Sequence, residues 1–376
     1  MEAFFMVESY DSGSMPFVGD FRKFLDGAAA YLRSSTSSDQ AEYFESRVIE
    51  SFLDKIVTGI DIPNYPQFRD MNEMFLESIE GVEKIEGGYI EADVPSIRME
   101  KSWIPEVFAI KNNSGEIHNK TGRPVKLRVC VTGPYTLSCL FPYKDSETFM
   151  RIGEIISRIV ENNIFHEKHG GVGLVALDEP TFGLLDDPLL DYGAEGRETL
   201  LKAWENIFHK AGVKGVRTCI HLHSTVDELF WDVKSLNVVE SHVEDPIYQS
   251  DRTKKLLESK DKFLKASISI SDFDKLIRKK VAASLKQKTE ESAINEQVAE
   301  AWKNITSGKL NSMTFLESTE LMEKRLKDVV ERFGSDRVPY AGPECGLKSF
   351  PTYECALECL RRAAKAVKNA LGSRQE

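Results

Sequence analysis

Val216-Arg217-Thr218-Cys219-Ile220-His221-Leu222-His223 is the stretch that decides the fold. A short, β-branched apolar run ends in two histidines. The same pattern recurs twice. Residues 236–239 run into Glu240, and residues 338–341 run into Gly342-Pro343-Glu344-Cys345-Gly346. Parallel strands would bring three such ends together. In an extended chain His221 and His223 point to the same side, because side chains alternate. Two imidazoles, one carboxylate and one thiolate make a four-ligand zinc shell. The expected ligands are therefore His221, His223, Glu240 and Cys345, and His242, two residues past Glu240, is a spare. A zinc held this way can bind and activate a substrate thiol.

Outward from these ends, short apolar runs alternate with longer stretches of helical period. Strands are expected at 5–9, 56–60, 127–132, 174–177, 216–221, 238–240, 264–270 and 338–341. Helices are expected at 18–33, 68–81, 146–163, 195–210, 225–234, 250–258 and 352–371. Eight strand–helix repeats point to an α/β fold, a (β/α)8 TIM barrel. A doubly wound sheet is the alternative. Residues 82–125 read as a β-hairpin insertion after strand 2. Residues 273–332, with Lys279, Lys280, Lys286, Lys288, Glu290 and Glu291, read as a charged helical insertion before strand 8. No Pro-, Gly- or Ser-rich linker divides the chain, so residues 1–376 are expected to form one domain.

Composition excludes several classes. A net charge of −11 argues against a nucleic-acid binder. No run of 18 apolar residues exists, so no membrane span is expected. The first residues lack a basic region and a cleavage site, and six cysteines in 376 residues are no disulfide framework. The expected location is cytoplasmic. Cys355 and Cys359, spaced i, i+4, are expected to be buried apolar residues of a helix, or else one of them joins Cys345 at a metal.

In a barrel, the C-terminal strand ends line the active site. Three further clusters fall there: Tyr10-Asp11-Ser12-Gly13-Ser14-Met15-Pro16, Val131-Thr132-Gly133-Pro134-Tyr135-Thr136 and Leu177-Asp178-Glu179-Pro180. Asp178 and Glu179 are adjacent, so alternation sends only one of them into the mouth. The other caps a helix or pairs with a base. A carboxylate beside zinc could bind a substrate ammonium.

Together these clusters resemble the catalytic domain of the cobalamin-independent methionine synthases, over most of the chain and in order. Pro343-Glu344-Cys345-Gly346-Leu347-Lys348 is close to that family's Pro-Asp-Cys-Gly-Leu-Lys and is the most specific match. Arg69-Asp70-Met71 is similar to its Asp-Met helix start. The resemblance implies a zinc-dependent methyltransferase that makes methionine by moving a methyl group to the sulfur of homocysteine, a 5-methyltetrahydropteroyltriglutamate-homocysteine S-methyltransferase-like activity. It implies His221, Glu240 and Cys345 as ligands, and Ser14 and Asp178, with Glu179 beside them, at the amino-acid end of the thiol. Three positions depart from the family. His223 stands where the family has Cys. Ala266-Ser267-Ile268-Ser269-Ile270-Ser271-Asp272 lacks the histidine that protonates a departing folate. Ile62-Pro63-Asn64-Tyr65-Pro66-Gln67-Phe68 lacks an aligned acid for homocysteine. The expected partners are a small thiol and a methyl donor, either a folate or a corrinoid carried by a partner protein. Two other readings stay open: an alkyltransferase acting on another small thiol, and a non-enzymatic zinc-binding barrel.

Overall fold

A computed structural model describes residues 7–33, 38–285 and 290–372. Seven parallel strands curl around one axis: β1 (Glu8–Ser9), β2 (Val125–Thr132), β3 (Gly170–Glu179), β4 (Arg217–Leu222), β5 (Val238–Glu240), β6 (Phe263–Ser269) and β7 (Tyr340–Pro343). Their order, β1-β7-β6-β5-β4-β3-β2, runs steadily around the sheet, as a barrel requires and a doubly wound sheet does not. This is a TIM-barrel-like α/β fold.

The expected second strand at 56–60 is not one. Residues Asp39–Val57 form a helix capped by the Ser38 side chain, which accepts from Ala41 N, and this helix was not foreseen. Its period buries Phe44, Val48 and Phe52. The chain then turns at Gly59, whose φ of 97° suits glycine. The irregular stretch 60–67 takes the strand's place. It makes isolated parallel bridges from Ile62 to Tyr10 and from Asn64 to Arg128. The gap between β1 and β2 is thus closed by backbone hydrogen bonds, Ile62 N to Ser9 O at 2.9 Å and Arg128 N to Pro63 O at 3.0 Å. Pro63 and Pro66 carry no amide proton, which explains why no regular ladder forms there.

The helix Ser146–Asn163 lies as expected, and Glu195–Val213 runs three residues further. The first opens on a capping box between Asp145 and Thr148. The two pack closely because position 153 is glycine, where a Cβ would come within 2.6 Å of Ala203 Cβ. Fully buried side chains such as Phe149, Ile156, Trp204 and Phe208 fill this layer. Each such side chain contributes about 1.5–3 kcal/mol by leaving water. The expected helix at 68–81 shrinks to Glu73–Leu76, and that at 225–234 to a single 3-10 turn at Leu229–Asp232.

The hairpin insertion is Ile79–Ile85 paired with Gly88–Ile97 across Glu86-Gly87, with Gly87 at φ 84°. The rest of 82–125 differs from expectation. Pro105–Asn112 and Ser114–Thr121 are helices, and Asn113 joins them. The stretch 273–332 contains the helices Phe273–Ser284, Glu291–Thr306 and most of Thr319–Phe333. Its charges pair within the fold, as Lys279 does with Glu244 at 2.5 Å and Arg278 with Glu291 at 2.6 Å. Lys286 and Lys288 lie outside the described residues.

Candidate metal centre

Strand register sets the site. Thr132, Asp178, His221 and Glu240 stand side by side across β2 to β5. Alternate residues of one strand share a face, so Arg128, Cys130, Cys219 and Lys265 belong to the same interior. TIM-barrel interiors are usually filled by branched apolar side chains. This one is polar and ionic.

Glu240 sits at its centre with no exposed surface. The Tyr10 hydroxyl donates to its Oε2 at 2.6 Å, and Arg128 donates to Oε1 at 2.9 Å. Lys265 Nζ lies 3.0 Å from Oε2, and His221 Nδ1 lies 3.3 Å from Oε1. Burial would raise the carboxyl's pKa, but Lys265, Arg128 and His221 together hold it well below its usual range. Arg128 is buried too, and it also donates to Asn64 Oδ1 at 3.1 Å.

Above this floor, His221, His223, His242 and Cys345 converge. Their ligand atoms all lie within 4.8 Å of one another. Cys345 Sγ is 3.7 Å from His223 Nε2, and the rings of His223 and His242 are 4.1 Å apart. Both ring nitrogens of His221 and Nε2 of His242 are buried without a hydrogen-bond partner. Buried polar atoms are normally satisfied, so such orphans call for an explanation. Burial raises the Cys345 thiol pKa, but the three imidazoles hold it well below the usual thiol range. Burial lowers His221, yet Cys345 and Glu240 push it up to about 10. Three imidazoles and a thiolate suit zinc. Residues and donor chemistry both fit a metal. Glu240, expected as a ligand, lies outside this cluster.

The Cys345 loop is placed by close approaches. A Cβ on Gly342 would meet the Tyr10 carbonyl at 2.0 Å, and one on Gly346 would meet Ser14 Oγ at 1.9 Å. The Ser14 carbonyl accepts from Leu347 N at 2.7 Å, so Ser14 lies directly against this loop. Two carboxylates that sequence reasoning missed hold the neighbouring loops. Glu344 accepts from Val243 N at 2.8 Å and Ser271 N at 3.1 Å. Asp245 accepts from Thr225 N at 3.1 Å and Ser241 Oγ at 2.8 Å. The loops bearing His223, His242 and Cys345 are thereby tied together. Tyr10 falls in the first expected strand-end cluster, but its bond to Glu240 was not expected. Arg128 and Lys265 were missed, and charges inside apolar strands were the available signal for both.

Asp178 and Glu179 separate as alternation demands. Asp178 faces the interior, 3.8 Å from Arg128, and its Oδ1 is buried without a hydrogen bond. Burial pushes its carboxyl up to about 6, against the pull of Arg128. Glu179 was expected near substrate. Instead its carboxylate is wholly buried on the helix side. It accepts from Tyr135 N at 3.0 Å, Thr136 N at 2.7 Å and Trp204 Nε1 at 2.8 Å. Gly133 leaves room for it, since a Cβ there would lie 2.2 Å from the Glu179 carboxyl. Cys355 and Cys359 are buried in the helix Tyr353–Gly372 and take no part in the cluster.

No protein-family model matches this chain, and no curated protein sequence matches it. Solved structures do. A B12-independent methionine synthase from Shewanella sp. W3-18-1, in complex with selenomethionine, superposes with a TM-score of 0.58 at 14% identity, over 98% of this chain and 99% of that one. A putative vitamin-B12 independent methionine synthase from Listeria monocytogenes gives 0.57 at 13% identity, over 97% and 98%. A methyltransferase from Methanosarcina mazei gives 0.54 at 12% identity, over 98% and 95%. At such identities the likeness is one of fold. Among the described residues, no helix is long and apolar enough to cross a membrane.

Proposed function

We propose that this chain is a zinc-dependent methyltransferase acting on the sulfur of a small thiol, with homocysteine the first acceptor to try. The observation that carries the reading is the convergence of His221, His223, His242 and Cys345 at the strand ends of the barrel. The shared fold with methionine synthases and a methyltransferase supports it. Zinc, when bound, would lower the pKa of the acceptor thiol and keep it as thiolate. The chain's own residues do the rest. Asp178 offers Oδ1, which makes no hydrogen bond within the fold, to the acceptor's ammonium, and Ser14, packed against the Cys345 loop, orients the same end. The donor is a methyl-folate or a methyl-corrinoid, the latter delivered by a partner protein.

Replacing Asp178 with Asn tests the acceptor contact. A charge-assisted hydrogen bond contributes roughly 1.5–3 kcal/mol, so D178N is expected to weaken acceptor binding about ten- to hundredfold while retaining zinc. Unchanged affinity would mean that Asp178 does not touch the acceptor.

One observation favours a second reading, a non-enzymatic zinc barrel. Four protein donors can close a tetrahedral shell, as structural sites do, whereas catalytic sites keep an exchangeable position. Titrating homocysteine into zinc-loaded protein separates the two. A second sulfur in the X-ray absorption spectrum is expected for the transferase. An unaltered shell at saturating thiol would favour the structural site.

A further inference from the structure

We infer that Glu240 is a positioning residue that holds the His221 ring, and that His242 fills the place among the metal donors that this carboxylate would otherwise take. The inference rests on the metal reading proposed above and assigns roles within it.

A carboxylate can accept about four hydrogen bonds on its two oxygens. Glu240 already accepts hydrogen bonds from Tyr10 at Oε2 and Arg128 at Oε1, and it faces Lys265 Nζ and His221 Nδ1 at ion-pair distances of 3.0 and 3.3 Å. Turning an oxygen toward a metal would strip a buried Arg128 or Lys265 of its counter-charge. Unpaired buried charges are strongly destabilising, so the anchored rotamer is favoured. What Glu240 can do from there is face His221 Nδ1. Ligating histidines commonly set one nitrogen against a carboxylate, which fixes the ring and presents the other nitrogen to the metal. His221 Nε2 is buried and free for that purpose.

The vacated donor position has an occupant. His242 follows Glu240 by two residues, in a loop tied down by Glu344 at Val243 and by Asp245 at Ser241. Its Nε2 is buried without a partner, and it lies in the four-donor cluster from which Glu240 is absent. With three neutral imidazoles and one thiolate, a bound zinc would keep a net charge of about +1. A shell of two imidazoles, a carboxylate and a thiolate would be neutral.

The test is X-ray absorption on zinc-loaded protein, with zinc affinity measured in parallel by chelator competition. Outer-shell scattering from imidazole counts the rings. Wild type is expected to show three rings and one sulfur. H242A should show two rings and bind zinc more weakly. E240Q keeps an acceptor for His221 and should retain three rings and one sulfur, with affinity lowered about 10–100-fold. A merely structural role for Glu240 would lower thermal stability without moving affinity measured well below the unfolding transition. Two rings with a carboxylate in wild type would overturn the inference, as would wild-type ring count and affinity in H242A. If E240Q does not fold, H242A alone decides, because its side chain is only half-buried and has no partner to lose at Nε2. Wild-type protein that binds no zinc would instead sink the metal reading itself.

Discussion

Cys345→Ser is expected to fold normally and to lose its zinc, from about one ion per chain to a trace after dialysis. Cys345 is the sole thiol in the cluster, and a neutral hydroxyl is a far poorer zinc ligand than a thiolate. The loss should exceed the roughly 10–100-fold seen when residues outside the ligand shell are changed. The loop itself should survive. The Cys345 backbone N–H donates to Ser271 Oγ at 3.1 Å, a bond the side-chain change leaves in place, and Glu344 anchors the turn through Val243 and Ser271. Metal analysis, with cobalt substitution to follow the sulfur-to-metal charge-transfer band, gives the readout. Full zinc content in C345S would remove Cys345 from the site.

The methyl donor should show an effect of similar size. A folate leaves poorly unless protonated, and general acid catalysis typically contributes about 10²–10⁴ in rate. The end of β6 and the residues just after it, which would carry the acid, hold serines with other tasks. Ser267 Oγ donates to the Ser241 carbonyl at 2.5 Å, and Ser271 Oγ donates to the Cys345 carbonyl at 2.9 Å. Of the seven histidines, His221, His223 and His242 are in the cluster. His118 and His169 face each other 5.2 Å apart, before the starts of β2 and β3. His166 also precedes β3, and its Nε2 lies 3.1 Å from the Lys214 carbonyl. His209 is exposed near the end of the helix that leads into β4. These four are at the opposite end of the barrel from the His/Cys cluster. Methyl-folate is therefore expected to react about 10²–10⁴ times more slowly than in a protein with a placed proton donor. A methyl-corrinoid needs no such proton and should serve at least as well. Matched assays with zinc-loaded protein and homocysteine compare the two. Fast turnover with methyl-folate and none with corrinoid would reverse this ordering.

The barrel was legible because burial on both faces leaves a local trace. The strands 125–132, 170–179, 217–222 and 263–269 each carry a short, mainly apolar run, and the helices after them keep an apolar period. Three members of the His/Cys cluster were legible for a related reason: His221, His223 and Cys345 end such runs, where a barrel opens to solvent. Misreadings fell where local signals conflict. Residues 56–60 have the apolar content of a strand, yet Ile56 and Val57 end a helix and the chain turns at Thr58-Gly59, since a short apolar run fits either state. Asn112-Asn113-Ser114-Gly115 has the composition of a turn, yet it lies where two helices abut.

What the sequence by itself determined was the alternation of strands and helices, the donor chemistry at strand ends, and the choice that only one of Asp178 and Glu179 could face the mouth. Period and alternation are properties of the local backbone, and they need no partner. What only the tertiary structure decided was where each carboxylate spends its charge. Glu179 went to the amides of Tyr135 and Thr136 and to Trp204, Asp178 kept an oxygen without a hydrogen bond, and Glu240 was taken by Tyr10, Arg128 and Lys265, while His242 joined the His/Cys cluster. A buried carboxylate settles on whichever donors and cations the fold brings within about 3 Å. Those groups come from the residue just after β1, from β2 and from β6, far from Glu240 in sequence, so no reading of its neighbours could have named them.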